Sequence, residues 1–475
     1  MSIPERQESF WCEQAWVNGA VAAGVRVEID PAGTVRGTET GVPAREGDCR
    51  LPGVTFPAAS NAHSHAFHRI LRGRTHAAGT GSFWTWREQM YEVAAALTPE
   101  LYEQLATAVF AEMVVTGWTS VAEFHYVHHQ PDGSAYPQEH AMERALARAA
   151  VAAGIRLTLL DTCYLAGGFG APLTQGQLRF GDRDGAAWLQ RLASLRAAFA
   201  EEFDPAQVSV GAALHSVRGV PEEELELIAR KLPADLPLHI HLSEQPAENA
   251  ACREATGLTP ALLLAKHGLV TRRLSAVHAT HLSEEDIGVL GAAGATVVMC
   301  PTTEADLADG IGPAAQLRAA GARIALGTDQ HAVVDPWLEM RALEYGERLR
   351  SGERGRFSPA DLHAAASAAG TDAQGRPAPG LAPGNSCDLM SVDPETVRTA
   401  GSRPGQLALS ATASDVHTVV VGGRILARHG RHAVLGDPAA LLSAAVVAVD
   451  RKTPPLPATT TMSASTMPAT TTEDP

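Results

Sequence analysis

Four histidines crowd "NAHSHAFHRILRGRTH", residues 61–76: His63, His65, His68 and His76. An imidazole serves as metal ligand, general acid or base, or plain packed ring, and spacing separates these roles. If "FPAASNAHSH" is a buried strand, its side chains alternate between faces. His63 and His65 then share one face, about 7 Å apart along the chain. Two such imidazoles can converge on one ion, provided other segments bring further ligands. His76 has no such partner and reads as an ordinary loop residue.

Further ligands lie downstream. In "HIHLSEQ", His239 and His241 share a strand face, and Glu244 opens the following loop. His241 is nearer the strand end and is the candidate ligand; His239 reads as packed one layer below. In "IALGTDQH", Asp329 ends an apolar strand after a glycine, where a carboxylate should be solvent-poor and paired. His63, His65, His241 and Asp329 together form a nitrogen/oxygen set suited to one Zn2+, with Fe2+ or Mn2+ as other fits. Such an ion turns water into hydroxide near neutral pH, and a general acid/base must then move protons. Glu244 is the candidate for that work. His278, from a neighbouring strand, could hydrogen-bond the hydroxide or the charge developing at the attacked carbon. Arg218 could clamp a carboxylate bidentately. The competing readings are a helix N-cap for Asp329, a solvated loop carboxylate for Glu244 and a surface ion pair for Arg218.

The elements that would position these residues are legible between residues 55 and 330. Eight short apolar runs alternate with helical stretches: "GVTFPAASNAHSH", "TSVAEFHYVHH", "IRLTLLDTCYL", "VSVGAALHSVR", "LPLHIHLSEQ", "LSAVHATHL", "ATVVMCPTTE" and "RIALGTDQH". "TPELYEQLATAVFAEMVVTG" and "PQEHAMERALARAAVAAG" are helical candidates, the second stopped by Gly154. Alternating strands and helices imply parallel βαβ units, and eight of them can close into a (β/α)8 TIM-like barrel; a doubly wound open sheet competes. The polar residues decide between them. His63/His65, His125, His215/Arg218, His241/Glu244, His278/His281 and Asp329 all fall at C-terminal strand ends, which a barrel gathers at one mouth.

The flanks have strand-turn-strand character, with Gly422-Gly423 as a hairpin turn. Residues 1–56 and 373–450 are therefore expected to form one composite β module beside a barrel of residues 57–372. Residues 451–475, rich in Thr, Ser and Pro, read as a disordered tail.

Composition narrows the function. A net charge of -15 over 475 residues opposes a nucleic-acid partner and favours a small molecule. No apolar run suits a membrane span, and the N-terminus lacks the basic and apolar regions of a secretory signal, which reads as cytoplasmic. Six scattered cysteines contain no C-x-x-C pair, so free thiols are expected.

The ordered set H-x-H (His63, His65), H-x-x-E (His241, Glu244), V-H-A-T-H (His278, His281) and G-T-D (Asp329) resembles the amidohydrolase superfamily, in its single-metal deaminase branch. The resemblance spans most of residues 10–450, and "APGNSCDLMSVD" is similar to that branch's β module. No strand end offers the lysine that two-metal members carbamylate. Within the branch, "NAHSHAFHR", "EFHYVHH", "LHSVR", "HIHLSEQ" and "EADLADGI" resemble the formimidoylglutamate deiminases of histidine degradation, which release ammonia from a formimino C=N bond. The resemblance implies zinc on His63, His65, His241 and Asp329, with Glu244 as proton shuttle and His278 in support. It maps Tyr126, His215 and Arg218 onto positions that bind a small anionic substrate, and barrels of this branch often form homodimers. Two departures stand out. His68 replaces a substrate-binding Gln of some members with a group that could titrate near pH 6.5, and "QHAVVD" follows Asp329 where some have Ser. A deaminase of an aminated purine, pyrimidine or triazine ring, or a non-catalytic binding protein, are the alternative readings.

Overall fold

Two sheets of eight strands each carry the chain. In the computed structural model, which describes residues 4–75 and 83–452, the N-terminal segment supplies β1 (Ser9–Val17), β2 (Ala20–Ile29), β3 (Val35–Glu39) and β4 (Cys49–Pro57). The eight apolar runs then contribute β5 (Ala59–Ser64), β6 (Trp118–His125), β7 (Arg156–Cys163), β8 (Val208–Leu214), β9 (Leu238–Leu242), β10 (Leu274–His278), β11 (Thr296–Met299) and β12 (Arg323–Leu326). Near the other end come β13 (Leu389–Val392), β14 (Val416–Val421), β15 (Arg424–Arg428) and β16 (Arg431–His432). His76 and residues 453–475 of the Thr/Ser/Pro-rich tail, read above as a loop residue and as disordered, lie outside the described residues.

Strands β5 to β12 pair in sequence order, every pair parallel. Helices connect them, which is the α/β barrel expected. Seven of the eight runs pass into the barrel whole, and the first does not. "GVTFPAASNAHSH" divides at Pro57: β4 stays in the flanking sheet, paired with β1 and β13, and β5 enters the barrel. Pro57 has no N–H to continue a ladder, and Ala58 N donates to Asp388 O while Ala59 N turns to Gly117 O, at 3.0 and 2.9 Å.

The flanking sheet runs β16-β15-β14-β13-β4-β1-β2-β3, so both ends of the chain meet in one layer, and Gly422 and Gly423 form its predicted hairpin turn with φ of 54° and 77°. The helix over Pro99–Thr116 starts on Thr98, whose hydroxyl accepts from Leu101 N, and stops on Gly117 at φ 107°. The next begins at Ala141 rather than Pro137, because His140 sits at φ 55°, and it ends at Gly154 as expected.

The barrel closes through the chemical motifs themselves. Ser64 bridges Asp329 in parallel; Thr328 N and Asp329 N both donate to His63 O, and His65 N donates to Asp329 O, each at 3.0 Å. Gly327 makes this approach fit, since a Cβ there would stand 2.9 Å from both Cβ and O of His63. Gly327→Ala is therefore expected to cost about 1–3 kcal/mol of stability, measured by chemical denaturation, because the atoms it meets are largely backbone. Below the mouth, His239 donates Nε2–H to Ala373 O at 2.8 Å, the packed role its lower layer suggested. No described helix is long and apolar enough to cross a membrane.

Candidate active site

At the C-terminal ends of β5, β9 and β12, three imidazoles and a carboxylate meet. His241 Nε2 lies 3.2 Å from His63 Nε2 and 3.2 Å from His65 Nε2. Asp329 Oδ1 lies 3.2 Å from His63 Nε2 and 3.4 Å from His65 Nε2. Their protonation states follow from the outer contacts. His65 Nδ1 donates to Phe124 O at 2.8 Å and His241 Nδ1 to His215 O at 2.9 Å, which leaves each neutral ring with a lone pair on Nε2. Burial, reinforced by neighbouring imidazoles, holds His63, His65 and His241 well below their ordinary value, so they stay neutral.

Facing lone pairs repel one another, and a cation between them removes the repulsion. A tetrahedral ion with bonds of about 2.0–2.1 Å spaces its ligands about 3.3–3.4 Å apart. The four separations match that spacing, so the donor set fits a divalent ion. Two overlapping groups of buried donors share Asp329: one with His63, His241 and His278, the other with His65 and His68. His278 is the outlier for ligation. Its Nε2 faces the other oxygen of Asp329 at 3.8 Å and Glu244 Oε1 at 3.7 Å, and its Nδ1 faces Glu304 Oε1 at 3.4 Å. Burial would lower His278, yet the carboxylates of Glu244, Glu304 and Asp329 raise it to about 10.

The backbone here is held under tension. Of nine non-glycine residues at positive φ among those described, five are Ser243, His278, Ala279, Asp329 and His331, at the ends of β9, β10 and β12. Such conformations cost on the order of 1–3 kcal/mol each and persist where surroundings over-determine them. They turn Glu244, His278 and Asp329 inward from strands that would otherwise run on. Sequence reasoning missed the clamp beneath: Glu123 accepts from Ser64 Oγ and Ala66 N, both at 2.6 Å, and so fixes the His63-to-His65 turn. Its signal was a carboxylate inside an apolar strand.

The pocket above this centre is lined by His65, His68, His241, Glu244, His278 and Asp329 at its base and by Tyr126, Tyr164, Phe180, His215, Arg218, Trp86, Arg87, Met90, Tyr91 and Leu307 on its walls. The ten residues given a ligand, catalytic or substrate-binding role from the sequence fall at the centre or in this pocket, His63 lying at the base just beneath the lining. His125 does not. It points to the far side of β6, where its Nε2 lies 3.3 Å from Glu143, while its neighbours Phe124 and Tyr126 face inward. His281 likewise turns away, donating Nε2–H to Asp309 O at 2.8 Å.

His68 needs correction. Its ring is buried and hydrogen-bonded to Tyr126 OH at 2.9 Å, and burial pushes it down to about 3 rather than leaving it near 6.5. It is a neutral polar contact across the working pH range. Arg218 is not the surface pair of the competing reading either: it lines the pocket, its Nε faces the buried Glu248 Oε1 at 3.4 Å, and its Nη groups bond to no described residue. Nor does Asp329 cap a helix; Asp335 does that for the helix over Pro336–Ser351. Arg87, on the helix over Phe83–Ala96, is a second guanidinium on the same pocket that no sequence pattern marked.

Comparison with known proteins agrees with this geometry. Residues 52–426 match the model of the amidohydrolase family. The chain is 37% identical over 439 residues to formimidoylglutamate deiminase of Pseudomonas aeruginosa, spanning 90% of this chain and 96% of that protein. It is 31% identical over 390 residues to 8-oxoguanine deaminase of the same organism, spanning 78% and 81%. The crystal structure of an amidohydrolase from Brucella melitensis superposes with a TM-score of 0.86 at 33% identity, covering 93% of this chain and all of that one. The chain belongs to the amidohydrolase family and is a hydrolase acting on C–N bonds.

Proposed function

We propose that the chain hydrolyses N-formimidoyl-L-glutamate to N-formyl-L-glutamate and ammonia, with one zinc ion held by His63, His65, His241 and Asp329. The observation that carries the substrate is the pair of guanidiniums, Arg87 and Arg218, on the same pocket as the donor set. The substrate carries its amidine-like carbon on the α-nitrogen and two carboxylates, the α one beside that nitrogen and the γ one at the far end of the side chain. The relative at 37% identity supports the same reading.

His63, His65, His241 and Asp329 would hold the ion, which when bound would make a water acidic enough to attack at neutral pH. Glu244 takes a proton from the attacking water and delivers it to the substrate nitrogen. Burial favours this exchange by pushing the Glu244 carboxyl up to about 7. His278, steadied by Glu304 at 3.4 Å, donates toward the charge that develops at the attacked carbon. Glu244 then takes the proton of the adduct's hydroxyl and passes it to the same nitrogen; as the formyl C=O bond forms, the C–N bond breaks and the nitrogen leaves as ammonia. Arg218 and Arg87 hold the carboxylates, while the hydrogen-bonded pair His68 and Tyr126 fixes the pocket wall beside His65.

A second reading keeps the mechanism and exchanges the substrate for an aminated heterocycle. Trp86, Tyr91, Tyr126, Tyr164 and Phe180 on the pocket favour it, because a flat ring could stack there. Ammonia release from formimidoylglutamate, guanine, adenosine and cytosine separates the two. The expected order places formimidoylglutamate first, and Arg218→Met raises its KM about 10- to 100-fold. Faster turnover of a ring substrate, or an unchanged KM in Arg218→Met, would sink the assignment.

A further inference from the structure

A second cavity, of about 410 Å3, lies at the opposite end of the barrel, where the flanking sheet meets the starts of β7 and β8. Arg6, Arg156 and Arg424 line it together with Asp204. Arg156 is neutralised: its Nε and Nη2 donate to the Asp388 carboxylate at 2.8 and 3.1 Å. Arg6 and Arg424 are not. Arg6 Nε donates to Gly422 O at 2.7 Å and Arg424 Nη1 to Pro4 O, and neither forms an ion pair with any described residue.

The three side chains are held close. The backbones of Arg6 and Arg424 bridge each other, antiparallel. Arg156 Nη2 and Arg6 Nη2 stand 3.1 and 4.0 Å from the point that a Cβ on Gly422 would occupy. Gly422 thus leaves room between them, and its φ of 54° suits glycine. Burial, with Arg424 and Arg156 nearby, holds the Arg6 guanidinium below its ordinary value. Asp30 and Asp204 oppose this charge on Arg6 without pairing with it, and each is engaged by backbone: Asp30 Oδ1 accepts from Ala32 N and Thr34 N at 2.8 and 2.9 Å, and Asp204 Oδ1 from Ala206 N at 2.9 Å. Arg6 and Arg424, without an ion pair of their own, repel each other across this cleft, and a bound oxyanion relieves that cost.

We propose that this cleft binds a small, multiply charged oxyanion, clamped by the forks of Arg6 and Arg424, with Val421 and Leu426 as an apolar wall beside it. Guanidinium forks match phosphate and carboxylate alike. The site is remote from the strand ends that carry the donor set, so it stands whether or not the proposed substrate is correct.

Calorimetric titration of the full chain at fixed ionic strength tests this with two probes: pyrophosphate, for a phosphate-bearing ligand, and citrate, for a polycarboxylate. At least one is expected to bind saturably at one site per chain. Arg6→Gln and Arg424→Gln should each weaken it about tenfold or more. Ala206→Glu places a carboxylate on the exposed rim without disturbing buried residues; it should weaken binding equally and leave ammonia release unchanged. Arg218→Met, in the other pocket, should keep the affinity. The proposal is overturned if neither probe binds, if the affinity is the same in Arg6→Gln, Arg424→Gln and Ala206→Glu, or if Arg218→Met abolishes binding.

Discussion

Glu244→Gln is expected to lower kcat about 10²- to 10⁴-fold while the bound metal stays at wild-type level. Glu244 lies beside the four converging donors without joining them, 3.7 Å from His278, so its loss removes a proton carrier and leaves the ligand set intact. The glutamine is nearly isosteric and cannot take up a proton. The pH profile separates this role from a merely structural one. Burial raises the Glu244 carboxyl from its ordinary 4.5 toward about 7, and a cation on the neighbouring donors pulls it down again. As pH falls through this window the carboxylate gains its proton and can no longer act as base, so kcat/KM declines on the acid side. The residual rate of Glu244→Gln should lack that limb. Retained turnover with the limb intact would assign the proton transfer to another group.

The second large effect concerns the donors themselves. Asp329→Ala and His241→Ala should each abolish stoichiometric metal binding and reduce ammonia release to background, with metal content read by elemental analysis. Three neutral imidazoles with facing lone pairs hold a divalent ion poorly without the Asp329 carboxylate, which alone brings negative charge to the set. Metal bound to the folded chain also stabilises it. A chelator is therefore expected to lower the melting temperature of the wild-type protein and leave Asp329→Ala unmoved. Equal metal content in wild type and both variants would show that the ion sits elsewhere.

Much of this site could be read from the sequence because barrel geometry converts a one-dimensional pattern into a three-dimensional one. His63, His241 and Asp329 are far apart in the chain, yet each follows an apolar run by the same logic. Parallel closure brings such strand ends to one rim. The motif glycine also has a visible reason: Gly327 is where β12 touches His63.

Other features depend on packing that the sequence does not encode locally. His125 and Tyr126 are adjacent, and each carries a hydrogen-bonding group suited to a site. Strand alternation allows only one of them to face the pocket, and the register of β6 selects Tyr126. The neutrality of His68 comes from complete burial against residues brought in by other elements. Arg87 belongs to a helix outside the strand-end pattern, so nothing in its neighbourhood pointed to the mouth. The division of "GVTFPAASNAHSH" between two sheets has its local sign in Pro57, which cannot continue a ladder.

Whether a metal-dependent deiminase works at this barrel mouth is decided by ammonia release from N-formimidoyl-L-glutamate, measured on the protein as purified, after chelation and after re-addition of zinc. Turnover is expected in the first and third states and none above background in the second. Undiminished release from the metal-stripped protein, or no release from the zinc-loaded one, would contradict that expectation.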